Sequence, residues 1–72
     1  MRDVEIRGDT IRLQQLLKLA GTVDAGAEVK GLLAEGGVFV NGEPETRRGR
    51  QLHPGDVVRA EGEELRVVSG TR

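Results

Sequence analysis

The chain is short, almost neutral and poor in aromatic residues, and these properties exclude several classes of protein. Its 72 residues include 11 Lys and Arg against 12 Asp and Glu, for a net charge of −1, and they include no cysteine. This length allows one domain, without room for a catalytic domain beside a binding domain. The lack of cysteine excludes disulfide bonds and thiolate metal sites. Since the chain as a whole is not basic, any binding of nucleic acid must depend on a local basic patch.

The first third of the chain predicts a short strand and then a helix. The apolar residues of 4–7 alternate as on a strand, and Gly8 breaks the pattern. Asp9 or Thr10 is a suitable N-cap for a helix over residues 11–20. Apolar residues recur on one face of this helix, at Leu13, Leu16, Leu17 and Ala20. The polar residues Arg12, Gln14, Gln15 and Lys18 lie away from that face.

A second helix is predicted after Asp24, which would cap it, and Gly36-Gly37 would end it. Its apolar face consists of Val29, Leu32, Leu33 and Gly36. Its other side is formed almost entirely by small residues: Gly26, Ala27, Lys30, Gly31 and Ala34. A glycine inside a helix costs about 1 kcal/mol relative to alanine, so we expect helix 1 or a strand to pack closely on Gly31. The free N–H groups at the start of the helix favour an anion, with Lys30 one turn inside.

Residues 38–50, V-F-V-N-G-E-P-E-T-R-R-G-R, are the most informative stretch of the sequence. The valines at its start alternate as on a strand, and Asn41-Gly42 favours a type I′ turn, in which both central residues have positive φ. A return strand follows near residues 43–45. Pro44 favours a sheet edge and disfavours edge-to-edge pairing, so we expect a monomer.

Three arginines follow this hairpin on a predicted surface loop, Arg47, Arg48 and Arg50. Guanidinium groups make forked contacts to phosphate and are weakly hydrated, so an exposed cluster of them suits a polyanion. A solvated charge run on an irregular loop explains the same residues equally well.

The last third predicts a second hairpin. We expect strands over residues 56–60 and 64–68, joined at Glu61-Gly62 and preceded by a turn at Pro54-Gly55. The side chains expected to face the core are those of Val57, Leu65 and Val67. From Ser69 onward the chain is expected to fray.

The sequence offers no group of residues typical of an enzyme. His53 and Ser69 are the only residues of their types, so a serine triad is not expected, and a metal site would need three carboxylates beside one histidine. Glu43 and Glu45 have the spacing of a carboxylate pair, but solvent-facing charges on an edge strand are the favoured interpretation. We predict no catalytic residue, no metal, no cofactor and no membrane-spanning segment. The expectation is a soluble, cytoplasmic binding module.

The order of these motifs resembles the small stand-alone S4-domain proteins, an RNA-binding family. The resemblance runs from about Ile11 to Val58 and rests on R-L-Q-Q-L-L-K-L-A, V-D-A-G-A-E-V-K-G-L-L and G-V-F-V-N-G-E-P-E-T-R-R-G-R-Q-L, followed by G-D-V-V. It implies an α+β class and an S4-like (alpha-L) fold, in which two packed helices lie against a small antiparallel sheet. Residues 1–72 would form a single domain with its core at about 11–58. The chain departs from the family pattern at Gln51, where lysine is usual.

The resemblance also implies a function and a site. The protein would bind structured RNA, rRNA or tRNA, along the helix pair and the loop after the first hairpin, in a role associated with the ribosome or translation. Position by position, the binding surface falls on Arg12, Gln15, Lys18, Lys30, Asn41, Arg47, Arg48 and Arg50. For Asn41 the turn itself is an equally good explanation. Because Phe39 is the only aromatic residue, base stacking cannot be the main mode of binding.

Two other classes are consistent with the sequence. In the first, the protein is an interaction module of a ribosome-associated or other assembly with no direct RNA contact, and acids such as Glu61, Glu63 and Glu64 meet a basic partner. In the second, it is a ubiquitin-like sulfur carrier, because G-D-V-V followed by a hairpin occurs in such proteins. Carriers of that kind end in Gly-Gly, whereas this sequence ends S-G-T-R, which disfavours the second class.

Overall fold

The computed structural model describes residues 1–23 and 26–70, which form two helices and seven strands. In chain order these are β1 (Arg2–Ile6), β2 (Ile11–Arg12), α1 (Leu13–Leu19), α2 (Gly26–Ala34), β3 (Val38–Val40), β4 (Glu43–Pro44), β5 (Gln51–Leu52), β6 (Val57–Ala60) and β7 (Glu63–Ser69). Five strands make one sheet in the order β1-β7-β6-β3-β4, and β2 pairs with β5 in a separate ribbon. Among the described residues, no helix combines the length and apolar character that crossing a membrane requires.

The main sheet is larger than predicted and is mixed. The α+β class is confirmed. The prediction of a small antiparallel sheet is wrong in two respects, because the sheet has five strands and because β1 pairs parallel with β7, with Val4 opposite Val67. Parallel neighbours need a long crossover connection, and here residues 7–62 supply it. The same pairing places Ser69 opposite Ile6, so the prediction that fraying begins at Ser69 is wrong; residues 71–72 of that predicted tail lie outside the described residues. The alpha-L arrangement stays a prediction.

An aliphatic core lies between the helices and one face of the main sheet. Its members come from every part of the fold: Val4, Ile6, Leu13, Leu16, Leu17, Ala20, Val23, Val29, Leu33, Val38, Val40, Leu52, Val58, Ala60, Leu65 and Val67. On β6 the prediction that Val57 faces the core is wrong. Val58 lies opposite both Val40 and Leu65 and is fully buried, whereas Val57 is half-buried.

The start of the first helix also differs from the prediction. The helix begins at Leu13 rather than at residue 11, and the extended residue Arg12 is its N-cap in place of Asp9 or Thr10. Ile11 and Arg12 instead form β2, opposite Leu52 and Gln51 of β5. A long-range strand pairing therefore replaces the first helical turn that the local pattern favoured.

The second helix does not pack closely on its glycine. Gly31 is exposed, and a Cβ added there would meet no described atom within 4 Å. The expectation that helix 1 or a strand packs against Gly31 is therefore wrong. The predicted cap at Asp24 lies outside the described residues.

The turn after β3 has the predicted geometry. Asn41 and Gly42 both have positive φ, at 52° and 84°, as a type I′ turn requires. This turn and the edge strand β4 lead directly into the loop that carries the arginines.

Candidate nucleic-acid interface

The arginine loop, residues 45–50, connects β4 with β5 and is fastened to the start of α1. The N–H of Leu13 donates to the carbonyl of Arg50 at 2.8 Å, and the N–H of Gln14 donates to the carbonyl of Arg48 at 3.0 Å. These carbonyls satisfy helix donors that have no partner within the helix. The loop is therefore held beside the N-terminal end of α1, next to the exposed Arg12.

A buried carboxylate organises this loop. The Glu45 side chain is only 6% exposed, and its Oε2 accepts hydrogen bonds from the N–H groups of Thr46 at 3.0 Å and Arg47 at 2.9 Å. The interpretation of Glu45 as a solvent-facing charge is wrong, because β4 ends at Pro44 and the chain then turns Glu45 inward. A carboxylate at this depth needs ionic and hydrogen-bonding partners.

Two of the three loop arginines are those partners. Arg47 donates from Nε to Oε2 at 3.0 Å and from Nη2 to Oε1 at 3.3 Å, a bidentate pair. Arg50 donates from Nη1 to Oε1 at 2.7 Å. We call Glu45, Arg47 and Arg50 the Glu45 cluster. Two positive charges and one negative charge give it a net charge of +1.

The carboxylate of Glu45 stays ionised at neutral pH. Hydrogen bonds from the side chains of Arg47 and Arg50 lower the pKa of Glu45 from 4.5 to about 2, although burial acts in the opposite direction. The hydrogen bond to Glu45 in turn raises the pKa of Arg47. Protonation of Glu45 therefore does not break its ion pairs with Arg47 and Arg50 near neutral pH.

Arg48 is placed differently from its two neighbours. Its side chain is exposed, as is that of Arg47, but within residues 1–23 and 26–70 the guanidinium of Arg48 has no ion pair or hydrogen bond. Arg48 and the exposed Lys30 of α2 line one shallow groove of about 310 Å³, together with Leu33, Ala34 and Thr46. The structure thus brings one cation from the loop and one from α2 to the same groove.

The predicted residues of α1 spread along that helix. Arg12 lies at the loop, and its N–H donates to Oε1 of Gln15 at 3.5 Å. Gln15 also lines a separate groove of about 660 Å³ with Arg7, Ile11 and Leu19. Lys18 is exposed in the last turn of α1, about 9 Å along the helix axis from Arg12, where a cation also complements the helix dipole.

Asn41 has structural partners. Its Nδ2 donates to Oδ1 of Asp56 at 3.1 Å, and its Oδ1 accepts from the N–H of Val57 at 2.9 Å. These bonds tie the β3–β4 turn to the start of β6. Burial raises the pKa of Asp56, but hydrogen bonds from the N–H of His53 and from Asn41 outweigh it and leave that pKa lowered. In this structure the side-chain amide of Asn41 is therefore engaged within the protein.

In residues 1–23 and 26–70, most cations away from the arginine loop and the helices have partners of their own. Arg66 pairs with Asp3 at 2.9 Å, Arg2 pairs with Glu63 at 3.6 Å, and Arg59 lies 4.7 Å above the ring of Phe39. In the described part of the chain, no group of acidic and histidine side chains could hold a metal ion. Among the described residues, the cationic side chains without an ion pair or a ring contact are thus Arg7, Arg12, Lys18, Lys30 and Arg48.

Sequence reasoning missed two supporting residues, Glu45 and Asp56. Glu45 carried a misleading local signal, because its two-residue spacing from Glu43 predicts the same solvent-facing side. Asp56 follows Gly55 in the G-D-V-V motif, which was a usable signal for a turn-supporting carboxylate.

Comparison with known proteins places the chain in a family. The profile of the S4 domain matches residues 4–68. The chain is similar to "Probable ribosome maturation protein RlbA" of Bacillus subtilis (strain 168), with 48% identity over 59 residues, which are 82% of this chain and 83% of that protein. It is also similar to "Putative RNA-binding protein YbcJ" of Escherichia coli (strain K12), with 39% identity over 59 residues, 82% of this chain and 84% of that protein.

The chain therefore belongs to the S4-domain family of small RNA-binding proteins, as its motifs indicated. The matched residues extend beyond the range 11–58 that carried the resemblance. The fold supplies the reason, because β1 and β7 contribute Val4, Ile6, Leu65 and Val67 to the same core.

Proposed function

We propose that this protein is a non-enzymatic module that binds structured RNA, rRNA or tRNA, in a role associated with the ribosome or translation. Membership of the S4-domain family and the names of the two relatives support this proposal. The observation that carries it is the position of Arg48 and Lys30. Both are exposed, and they line one groove although they come from different elements.

The binding is to phosphates and to the shape of the RNA. Arg48 offers a forked donor, while Lys30, Lys18 and Arg12 add positive charge along the helix pair. The one aromatic ring, Phe39, is half-buried and covered by Arg59 at 4.7 Å, so it is not a free platform for a base. Without such a platform, folded RNA is a better target than an unstacked single strand.

Salt dependence gives the first test of this function. About four or five phosphate contacts predict that the logarithm of affinity falls with the logarithm of salt at a slope of roughly −3 to −5. The measurement is filter binding of tRNA and of rRNA fragments at several salt concentrations. Affinity that does not change with salt would overturn the phosphate mechanism, and no binding at low salt would overturn the function.

Substitution of matched cations gives the second test. Arg48→Ala/Lys30→Ala should weaken binding roughly a hundredfold if each cation contributes about 1.5 kcal/mol. The control is Arg66→Ala/Arg2→Ala, which also removes two positive charges but from the side of β1 and β7. Equal losses in the two double variants would mean that RNA does not select the face that carries the arginine loop.

An interaction module without RNA contact is the second candidate, and one feature favours it. Glu28, Glu35 and Glu61 line a groove of about 300 Å³ beside Gly31 and Leu32. A basic protein segment would suit that charge. Competition distinguishes the candidates, because tRNA should displace an RNA ligand from the arginine loop but leave a protein bound to the acidic groove in place.

A further inference from the structure

We propose that Glu45 is a positioning residue for RNA binding, which occupies one guanidinium edge of Arg47 and Nη1 of Arg50 and leaves Arg48 as the loop arginine whose whole guanidinium is available to phosphate. This inference rests on the proposed function. It assigns different roles to three arginines that look equivalent in the sequence. It also means that an acidic residue supports binding at a basic surface.

The hydrogen bonds of the Glu45 cluster occupy guanidinium groups that could otherwise bind phosphate. Arg47 turns its Nε and Nη2 edge to the carboxylate, at 3.0 and 3.3 Å, and Arg50 places Nη1 at 2.7 Å. That edge of a guanidinium is one that also binds phosphate in a bidentate manner. An arginine that presents it to a buried carboxylate does not present it to RNA as well.

The backbone of the arginine loop is held by hydrogen bonds on both sides of Arg48. Oε2 of Glu45 accepts the N–H groups of Thr46 and Arg47, which fixes the chain immediately before Arg48. On the other side, the carbonyls of Arg48 and Arg50 are bound by the N–H groups of α1. Arg48 therefore projects from a backbone that is held on both sides, and such preorganisation lowers the entropy lost on binding.

The groove beside α2 places Arg48 near a second cation. Arg48 and Lys30 both line this groove, which has a volume of about 310 Å³. A planar guanidinium and a compact ammonium that converge on one groove suit a single phosphate group of the RNA backbone. Thr46, whose N–H is bound by Glu45, lines the same groove, so the carboxylate also shapes its wall.

The variant Glu45→Gln separates positioning from charge, because the two effects have opposite signs. The substitution removes one negative charge from a basic surface, so electrostatics alone predicts tighter binding of RNA. Loss of the ion pairs should instead free Arg47 and Arg50, loosen the loop and weaken binding. We expect a loss of roughly fivefold to tenfold with no decrease in the salt slope, since no positive charge is removed.

Arg47→Ala and Arg48→Ala form the matched pair that tests the division of the arginines. Each removes one positive charge from the same loop, so a difference between them reports position. Arg48→Ala should weaken binding roughly tenfold and reduce the salt slope by about 1, and Arg47→Ala should cost roughly threefold or less. This pair keeps Glu45 and therefore remains a test if Glu45→Gln does not fold.

The experiment is fluorescence binding of tRNA and rRNA fragments by the full chain, with circular dichroism to verify that each variant is folded. Failure of the wild-type protein to bind at low salt would overturn the proposed function. If the wild type binds, equal losses for Arg47→Ala and Arg48→Ala would overturn this inference alone. Tighter binding by folded Glu45→Gln would also overturn it and leave the proposed function intact.

Discussion

At the scale of single residues, Glu45 determines what the arginine loop can present to a partner. Its carboxylate is buried and binds Arg47, Arg50 and two backbone N–H groups. An acid in this position lowers the local positive charge but fixes the shape of the loop. Glu45 thus weakens the long-range attraction of the loop for an anion, but it gives the remaining cations defined positions.

Acid unfolding tests this role of Glu45. Its pKa in the folded protein is about 2, below the ordinary value of 4.5. The ionised carboxylate therefore stabilises the fold above about pH 4.5, and this contribution is lost as the pH falls from 4.5 to about 2. We expect Glu45→Gln to unfold at a lower urea midpoint than the wild type at neutral pH.

The difference between the two proteins should shrink toward about pH 2, as measured by urea unfolding across the acid range. The lowered pKa of Asp56 acts in the same direction in both proteins, so some pH dependence should remain in the variant. A constant difference in the free energy of unfolding at all pH values would contradict this role.

Sequence patterns identified the loop arginines but could not distinguish them. Arg47, Arg48 and Arg50 are chemically identical, and their division depends on which side chains reach a buried carboxylate. The backbone N–H of Glu45 donates to the carbonyl of Val38 at 3.0 Å, a bond within the first hairpin that places Glu45 beside β3. Asn41 was more predictable, because its place in a type I′ turn follows from the Asn-Gly dipeptide alone.

At the scale of elements, local patterns predicted what each segment becomes better than where it begins. The stripe of leucines identified α1, and the paired turns identified the hairpins. The first two residues of the predicted helix, Ile11 and Arg12, instead pair with β5, about 40 positions away in the chain. No local signal contains that partner, and the same pairing is what brings Arg12 beside the arginine loop.

Gly31 in α2 provides a prediction at this scale. Since an added Cβ would meet no described atom within 4 Å, Gly31→Ala should stabilise the free protein by about 0.5–1 kcal/mol through helix propensity. Chemical denaturation of the purified protein measures this change. A destabilised Gly31→Ala would contradict the open surroundings of this residue.

Gly36→Ala is the matched control, because Gly36 also has free space around it but has φ of +75°. A side chain at that backbone conformation costs about 1 kcal/mol or more. The two glycine substitutions should therefore change the free energy of unfolding in opposite directions.

At the scale of the whole molecule, the near-neutral charge combines cations that are paired with acids and cations that are not. Arg2 and Arg66 are paired with acids beside β1 and β7, whereas Arg48 and Lys30 share an open groove on the other part of the fold. The parallel pairing of β1 with β7 could not be predicted from local patterns, because its partners lie about 60 residues apart. Family motifs indicated the fold class, but the surface that we propose for RNA could be chosen only from the ion pairs of the folded chain.

Chemical-shift perturbation of the ¹⁵N-labelled protein by a tRNA or rRNA fragment tests the central claim most directly. The account predicts that the perturbed amides concentrate at residues 12–18, at Lys30 and at residues 46–51. Raising the salt concentration should return the chemical shifts of these amides to their values in the free protein. Shifts centred on the β6–β7 turn at Glu61-Gly62, with the arginine loop unchanged, would contradict it.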